Sequence, residues 1–241
     1  MYNWHSGGHY IGNWVENKRT GKGNMTFSNG DTYAGDWVEN KRTGKGNMTF
    51  SNGETYAGDW VNERRTGNGV YVWPNRDKYE GEFKNEQMHG RGTFIWSNGE
   101  MYVGDWVNNK RTGKSIMIFS NGNKYAGDWL NNQRTGKGIL IWPGGNKYEG
   151  EFKYGDRHGR GTFIQFNGER YDGDWVEDNM SGEGAYTWLD GDKYEGHFEN
   201  GALNGWGKMS YSNGTIQVGY WPNGFFFYYS RNSSHSTRIK N

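Results

Sequence analysis

The sequence predicts an all-β fold: an elongated, twisted, single-layer antiparallel meander, a β-hairpin solenoid of about ten 23-residue repeats. Three observations predict it. Tyrosines recur at Tyr10, Tyr33, Tyr56, Tyr79, Tyr102, Tyr125, Tyr148, Tyr171 and Tyr194, always 23 residues apart, and the tenth position, Gln217, is still followed by Gly219 and Trp221. Each Tyr opens an alternating Tyr-x-Gly-x-Trp or Tyr-x-Gly-x-Phe run, as in Tyr33, Gly35, Trp37 or Tyr79, Gly81, Phe83. Such alternation places the three on one face of a strand. Most repeats also end on an Asx-Gly or Gly-rich turn such as Ser28-Asn29-Gly30-Asp31, a strong short-range hairpin signal.

The elements follow in order. Residues 1–9 read as a partial repeat or N-terminal cap, because Tyr2 and Trp4 occupy the places that Met25 and Phe27 take in the next repeat. Residues 10–216 hold nine full repeats. In each, a first strand (Tyr, Gly, Trp) leads to a Gly-x-Gly segment such as Gly21 and Gly23, read as the bend between strands. A second strand then carries large apolar residues, such as Tyr71 and Trp73 or Leu140 and Trp142. Residues 217–229 read as a terminal half-repeat and capping strand, and 230–241 as a disordered polar tail. Each repeat offers about four large side chains at ~1.5–3 kcal/mol apiece. Ordering its residues costs ~1.5 kcal/mol each. One repeat therefore cannot fold alone, and stacking makes the array stable.

Composition agrees. Only 32% of residues are hydrophobic and mean hydropathy is −1.11, yet 17% are aromatic and 41 are glycine. The core is expected to be built from rings. A net charge of +1 supplies no global field toward nucleic acid. Without cysteine there is no thiolate metal site. No secretory h-region follows Met1 and no apolar run approaches a membrane span. The expectation is a cytoplasmic protein, peripheral at a membrane or cytoskeletal structure, without cofactor or small-molecule substrate.

The Tyr-x-Gly-x-Trp run followed by Gly-x-Gly at this period resembles the MORN (membrane occupation and recognition nexus) repeat, over residues 2 to about 224. The resemblance implies an elongated, twisted single-layer sheet. It also implies roles in phospholipid association, membrane tethering, cytoskeletal or ciliary assembly and protein scaffolding, sometimes ahead of a lipid kinase or methyltransferase domain. Two features depart from the family pattern. Its Gly seven residues after the Tyr survives only at Gly155 and Gly201, and its His before Gly-x-Gly only at His89 and His158.

Three surfaces are candidates for function. The first is an aromatic groove for a partner helix or extended peptide: Tyr33, Trp37, Tyr56, Trp60, Tyr79, Phe83, Tyr102, Trp106, Tyr125 and Trp129. The glycine between Tyr and Trp is read as room for a neighbouring ring. The second is a basic stripe, expected in the bends along one edge, for anionic phospholipid or another polyanion: Arg19, Lys22, Arg42, Lys45, Arg65, Arg91, Arg111, Lys114, Arg134, Lys137, Arg157 and Arg160. Each such charge near an anionic surface is worth ~1 kcal/mol. The stripe fades in repeats eight and nine, which carry Met180, Glu183, Leu203 and Trp206 instead. The third is an apolar docking strip on the opposite, otherwise acidic face: Val72, Ile95, Ile116, Ile118, Ile139 and Ile141. For each surface the structural alternative is plain: rings as core, charges as a solvated edge, β-branched residues as strand formers.

Catalysis finds no support. Glu80 with Glu82 and Glu149 with Glu151 resemble acid–base pairs but recur with the repeat on an open face rather than in one enclosed site. The Gly-x-Gly segments precede strands rather than a helix N-terminus, so they are not phosphate loops. The expected function is a non-catalytic repeat scaffold for protein–protein interaction, with anionic phospholipid as a further partner. The alternatives are a carbohydrate- or choline-binding surface array and a regulatory array of a larger enzyme such as a lipid kinase.

Overall fold

The computed structural model describes residues 1–224; the expected capping strand at 225–229 and the tail at 230–241 lie outside the described residues. The chain divides into two bodies, Met1–Ser120 and Asn121–Asn241. The first holds β1 (Tyr2–Asn3), β2 (His9–Val15), β3 (Lys18–Thr26), β4 (Thr32–Val38), β5 (Lys41–Thr49), β6 (Thr55–Val61), β7 (Arg64–Val72), β8 (Lys78–Lys84), β9 (Gln87–Ile95), β10 (Met101–Val107) and β11 (Lys110–Ile118). The second holds β12 (Lys124–Leu130), β13 (Gln133–Ile141), β14 (Lys147–Lys153), β15 (Asp156–Ile164), β16 (Arg170–Val176), β17 (Asn179–Thr187), β18 (Lys193–Glu199), β19 (Ala202–Ser210) and β20 (Ile216–Trp221). Within each body every strand pairs antiparallel with its sequence neighbours, as β3 does with β2 and β4. Among the described residues the only other element is the 3₁₀ turn Pro222–Gly224.

The turn between repeats, as at Asn29-Gly30, falls where the sequence predicts it, but the bend within each repeat does not fall at Gly-x-Gly. It falls at two residues directly after the first strand, such as Glu16 and Asn17, with φ of 48° and 61°. Both central residues at positive φ make a type I′ turn, whose twist matches that of the strands it joins. Asn and Gly tolerate that conformation best, which accounts for Asn40, Asn109, Gly155 and Gly201 at the second position.

The Gly-x-Gly segment lies inside the second strand instead. Gly35 pairs with Gly46, but Asp36 pairs with Thr43, so Gly44 and Lys45 form a two-residue bulge. Gly44 sits at φ 59° to make it. Two extra residues restore the alternation of sides, so Arg42, Gly46 and Met48 share the face of Tyr33 and Trp37, while a Cβ on Gly44 would meet Asp36 on the opposite face. Lys45 and Asn47 take the other face.

Candidate functional site

The repeats build one arrangement on their ring face, with Ser115 replacing one glycine in the repeat of Tyr102. Tyr33 lies across the paired glycines Gly35 and Gly46. A Cβ on Gly35 would come within 2.6 Å of the Gly46 Cα and 2.5 Å of the Tyr33 hydroxyl, so glycine leaves the seat for the ring. The Tyr33 hydroxyl donates to the Asp36 carbonyl at 3.1 Å. Trp37 meets Tyr33 edge to face at 5.1 Å and Tyr10 of the preceding repeat at 5.7 Å, and its Nε1 donates to the Gly23 carbonyl at 3.2 Å. Trp60 repeats this with Tyr56 at 5.2 Å and Tyr33 at 5.5 Å. The second body carries the same ladder, with Tyr148 at 5.2 Å from both Phe152 and Trp175. Such pairs contribute about 0.5–1.5 kcal/mol each beyond area burial.

The expected aromatic groove is corrected by this packing. Tyr33, Trp37, Tyr56, Trp60, Tyr79, Phe83, Tyr102, Trp106, Tyr125 and Trp129 are all buried. With no Cβ beneath it, each Tyr ring drops onto its own glycine pair and the following Trp or Phe closes over it. The glycines make room for the Tyr of the same repeat rather than for a neighbouring ring. Burial, reinforced by the Asp36 charge, lifts the Tyr33 phenol far above its usual value. The rings left half-buried on this face form a second row, among them Trp73 and Trp96 in the first body and Trp142 and Trp188 in the second. Trp73 packs 4.6 Å from Tyr71 and 5.1 Å from Phe94.

The basic stripe is also corrected: its members lie in strands and on opposite faces, not in bends along one edge. Arg19, Arg42, Arg65, Arg111, Arg134 and Arg157 are half-buried on the ring face. The guanidinium of Arg19 stands 4.3 Å over Trp37, that of Arg42 4.4 Å over Trp60 and that of Arg157 4.2 Å over Trp175. Each also binds the turn of the next repeat. Arg42 Nε donates to Glu63 at 2.8 Å and Arg157 Nε to Asp178 at 2.8 Å, while the Asn40 Oδ1 accepts the Arg19 N–H at 2.8 Å. Where the turn residue is glycine, Arg134 donates to the Gly155 carbonyl directly. Burial pulls the Arg19, Arg111 and Arg134 guanidinium groups below their usual value.

Lys22, Lys45, Arg91, Lys114, Lys137 and Arg160 occupy the open face and are exposed. Acidic residues there act as connectors. One Asp36 oxygen takes the Lys22 Nζ at 2.7 Å and the other accepts the backbone N–H of Lys45 at 3.1 Å. The hydrogen bond from Lys22, against opposing burial and with the Lys45 N–H, holds its carboxyl below the usual range. Lys45 with Asp59 at 2.6 Å and Arg160 with Asp174 at 3.3 Å repeat the link.

The residues of the apolar strip lie on the open face. In the first body Met101 sits between Ile95 and Ile118, and Val103 pairs with Ile116. Ile95, Val103 and Ile116 are exposed, Ile116 at 52%, while Val72 and Ile118 are half-buried. In the second body Ile141 is exposed and Ile139 half-buried. Met101 and Val103 join the strip because strand pairing brings them beside Ile95 and Ile116. In the second body strand pairing also brings together an exposed ring pair that the sequence does not place side by side, Trp206 and Tyr220. The signal for Trp206 was its place in the repeat, where Lys22, Lys45 and Arg91 stand elsewhere. Among the described residues no cluster of three or more His, Cys, Asp or Glu side chains is disposed to hold a metal ion.

Three solved structures illustrate the likenesses found. The TCP10 domain of Danio rerio CPAP is 10% identical, with a TM-score of 0.45 over 91% of this chain and 98% of that one. The SAS-4 (dCPAP) TCP domain of Drosophila melanogaster, in complex with a proline-rich motif of Ana2 (dSTIL), is 14% identical, with a TM-score of 0.42 over 68% and 86%. Virginiamycin B lyase from Staphylococcus aureus is 12% identical, with a TM-score of 0.18 over 89% and 88%. Comparison with curated proteins found no match. The MORN repeat model, by contrast, matches nine consecutive segments, 10–32, 33–55, 56–78, 79–101, 102–124, 125–147, 148–170, 171–193 and 194–216, and the chain belongs to the MORN repeat family.

Proposed function

We propose that this protein is a non-catalytic scaffold whose open face docks another protein. The observation that carries this reading is the aliphatic patch on β9, β10 and β11. Ile95, Val103 and Ile116 are exposed side by side on a face otherwise lined with Lys–Asp pairs. A contiguous apolar patch rimmed by charge is what an interaction surface offers. The ring face has spent its aromatic residues on holding successive repeats together, which supports placing the docking surface on the open side. The test is affinity capture with the full chain and with Ile95→Thr/Ile116→Thr, alongside urea denaturation of both. Loss of a captured protein at unchanged stability is the expected result; an unchanged set of captured proteins overturns the reading.

A second reading is contact with anionic phospholipid. It rests on the open-face cations, since the Lys22, Lys45, Arg91 and Arg160 side chains remain largely exposed despite their carboxylate partners. Co-sedimentation with neutral and anionic vesicles at two salt concentrations tests it. Salt-sensitive binding to anionic vesicles alone is expected, and equal, negligible binding to both removes it.

A further inference from the structure

Repeats eight and nine differ from the others in charge and in where they show rings. Residues 171–216 hold nine Asp and Glu against two Lys, whereas residues 10–55 hold five acids against six bases. On the open face of this acidic stretch lies a shallow concavity of about 620 Å³, with Glu183, Glu195, Trp206 and Val218 among its lining residues. Trp206 is 60% exposed, and its ring stands 6.2 Å from that of exposed Tyr220. The matching concavity of the first body, about 340 Å³, is lined by Lys22, Asn24, Lys45 and Asn47 with no ring.

We propose that this concavity takes an extended, arginine-bearing segment of a partner protein, with an arginine side chain stacked on Trp206. Charge complementarity sets the sign of the partner. The choice of arginine follows from how this chain holds its own. Arg42 and Arg157 each lie over an indole, at 4.4 and 4.2 Å, while a carboxylate takes the guanidinium at 2.8 Å. Trp206 with Glu183 supplies the same two functions, indole face and carboxylate, on an exposed surface. Local cations are engaged: Arg160 pairs with Asp174 at 3.3 Å, and Glu195 takes Lys193 at 2.6 Å with Lys208 at 4.0 Å, which leaves Glu183 as the carboxylate open to a partner's guanidinium. Glu183 meets the His197 ring at 3.2 Å, at the place where earlier repeats hold a Lys–Asp link. This goes beyond the aliphatic patch, which lies in the other body.

The test uses the full chain with fluorescein-labelled octa-arginine and octa-lysine, read by anisotropy at about 50 mM and about 300 mM salt. Octa-arginine is expected to bind three- to fivefold more tightly than octa-lysine, the advantage of a stacked guanidinium. Trp206→Asn should abolish that advantage. Asn68 occupies the same repeat position, so the variant suits the fold, and a thermal melt checks it. Amide shifts on titration are expected at residues 183–185, 195–196 and 206–208, not at 22–24 and 45–47. Equal affinity for the two peptides, an advantage that survives Trp206→Asn, or shifts elsewhere would overturn the proposal. So would tighter binding by the full chain carrying Arg231→Ala, Arg238→Ala and Lys240→Ala, since that assigns the site to the chain's own C-terminal residues. Ile95→Thr/Ile116→Thr should leave the readout unchanged, so failure here and failure of the aliphatic-patch reading are separate results.

Discussion

The guanidinium of Arg42 lies 4.4 Å over the indole of Trp60, one repeat further along the chain. The same side chain holds Glu63 at the tip of that repeat's hairpin. One arginine thus ties a ring and a turn of the next repeat to its own strand.

Arg42→Ala should therefore destabilise the protein by about 1–2 kcal/mol, through the lost stacking and packing as well as the lost charge. The side chain is only 16% exposed, so the interaction is poorly screened. Lys45→Ala, at 70% exposure on the other face, should cost less than about 0.5 kcal/mol. Urea denaturation of both variants checks the contrast, and equal losses would contradict the assignment of faces.

Gly46→Ala should cost about 2–3 kcal/mol, because the new methyl would occupy the place of the Tyr33 ring. The φ of Gly46 is not positive, so backbone strain is not the cause. Ser115 marks how far the rule bends: one Cβ is accepted opposite Gly104, and Gly104→Ala would press a second against it. Gly99→Ala, where a Cβ meets nothing within 4 Å, isolates the cost of a positive φ, here 87°. Thermal melts of the three variants rank these effects.

Glu63 holds φ 73°, a conformation that costs a non-glycine residue about 1 kcal/mol or more. It persists because its carboxylate takes both the backbone N–H and the Nε of Arg42. Glu63→Asn should stabilise by about 0.5 kcal/mol, since Asn tolerates positive φ and retains an acceptor, as Asn40 does toward Arg19. Denaturant midpoints check it; a lower midpoint would show that the charge of Glu63 matters more than its backbone.

Alkaline pH should unfold the protein through its phenols. Burial raises the Tyr33, Tyr56, Tyr79, Tyr125, Tyr148 and Tyr171 hydroxyls above their ordinary value of 10.0 and pushes Tyr194 up to about 12. A raised folded-state value means that the folded chain keeps its protons where the unfolded chain has lost them. Their contribution is fully present below pH 10 and is lost as pH rises beyond it. The expected observation is a stability plateau up to about pH 10. Above it, phenolate absorbance should grow together with loss of structure.

Acid should act through the connectors. The Asp36 carboxyl is held low by Lys22, against burial, and by the Lys45 N–H, so its contribution is present above the unfolded value and lost as pH falls below it. Asp36→Ala should cost about 1 kcal/mol at neutral pH, and Asp36→Asn, which keeps an acceptor for the Lys45 N–H, less. At acid pH the gap between Asp36→Ala and the parent should narrow, as measured by denaturation at each pH.

Periodicity alone determined that this chain is a stack of hairpins and that Tyr33, Gly35 and Trp37 share a side, because side-chain alternation is a property of each strand by itself. The place of the turn and the sides taken by Arg42 and Lys45 depend on cross-strand register. Two-residue positive-φ turns and two-residue bulges set that register, and Glu and Asn at the turn are weaker signals than the glycines that misled. Whether the rings are open or closed was a matter of packing. Tyr33 is buried because Gly46, 13 residues away, comes to lie beside Gly35 and leaves a seat for its ring. Likewise Ile95, Val103 and Ile116 become one patch, and Trp206 comes beside Tyr220, only when separate strands pair.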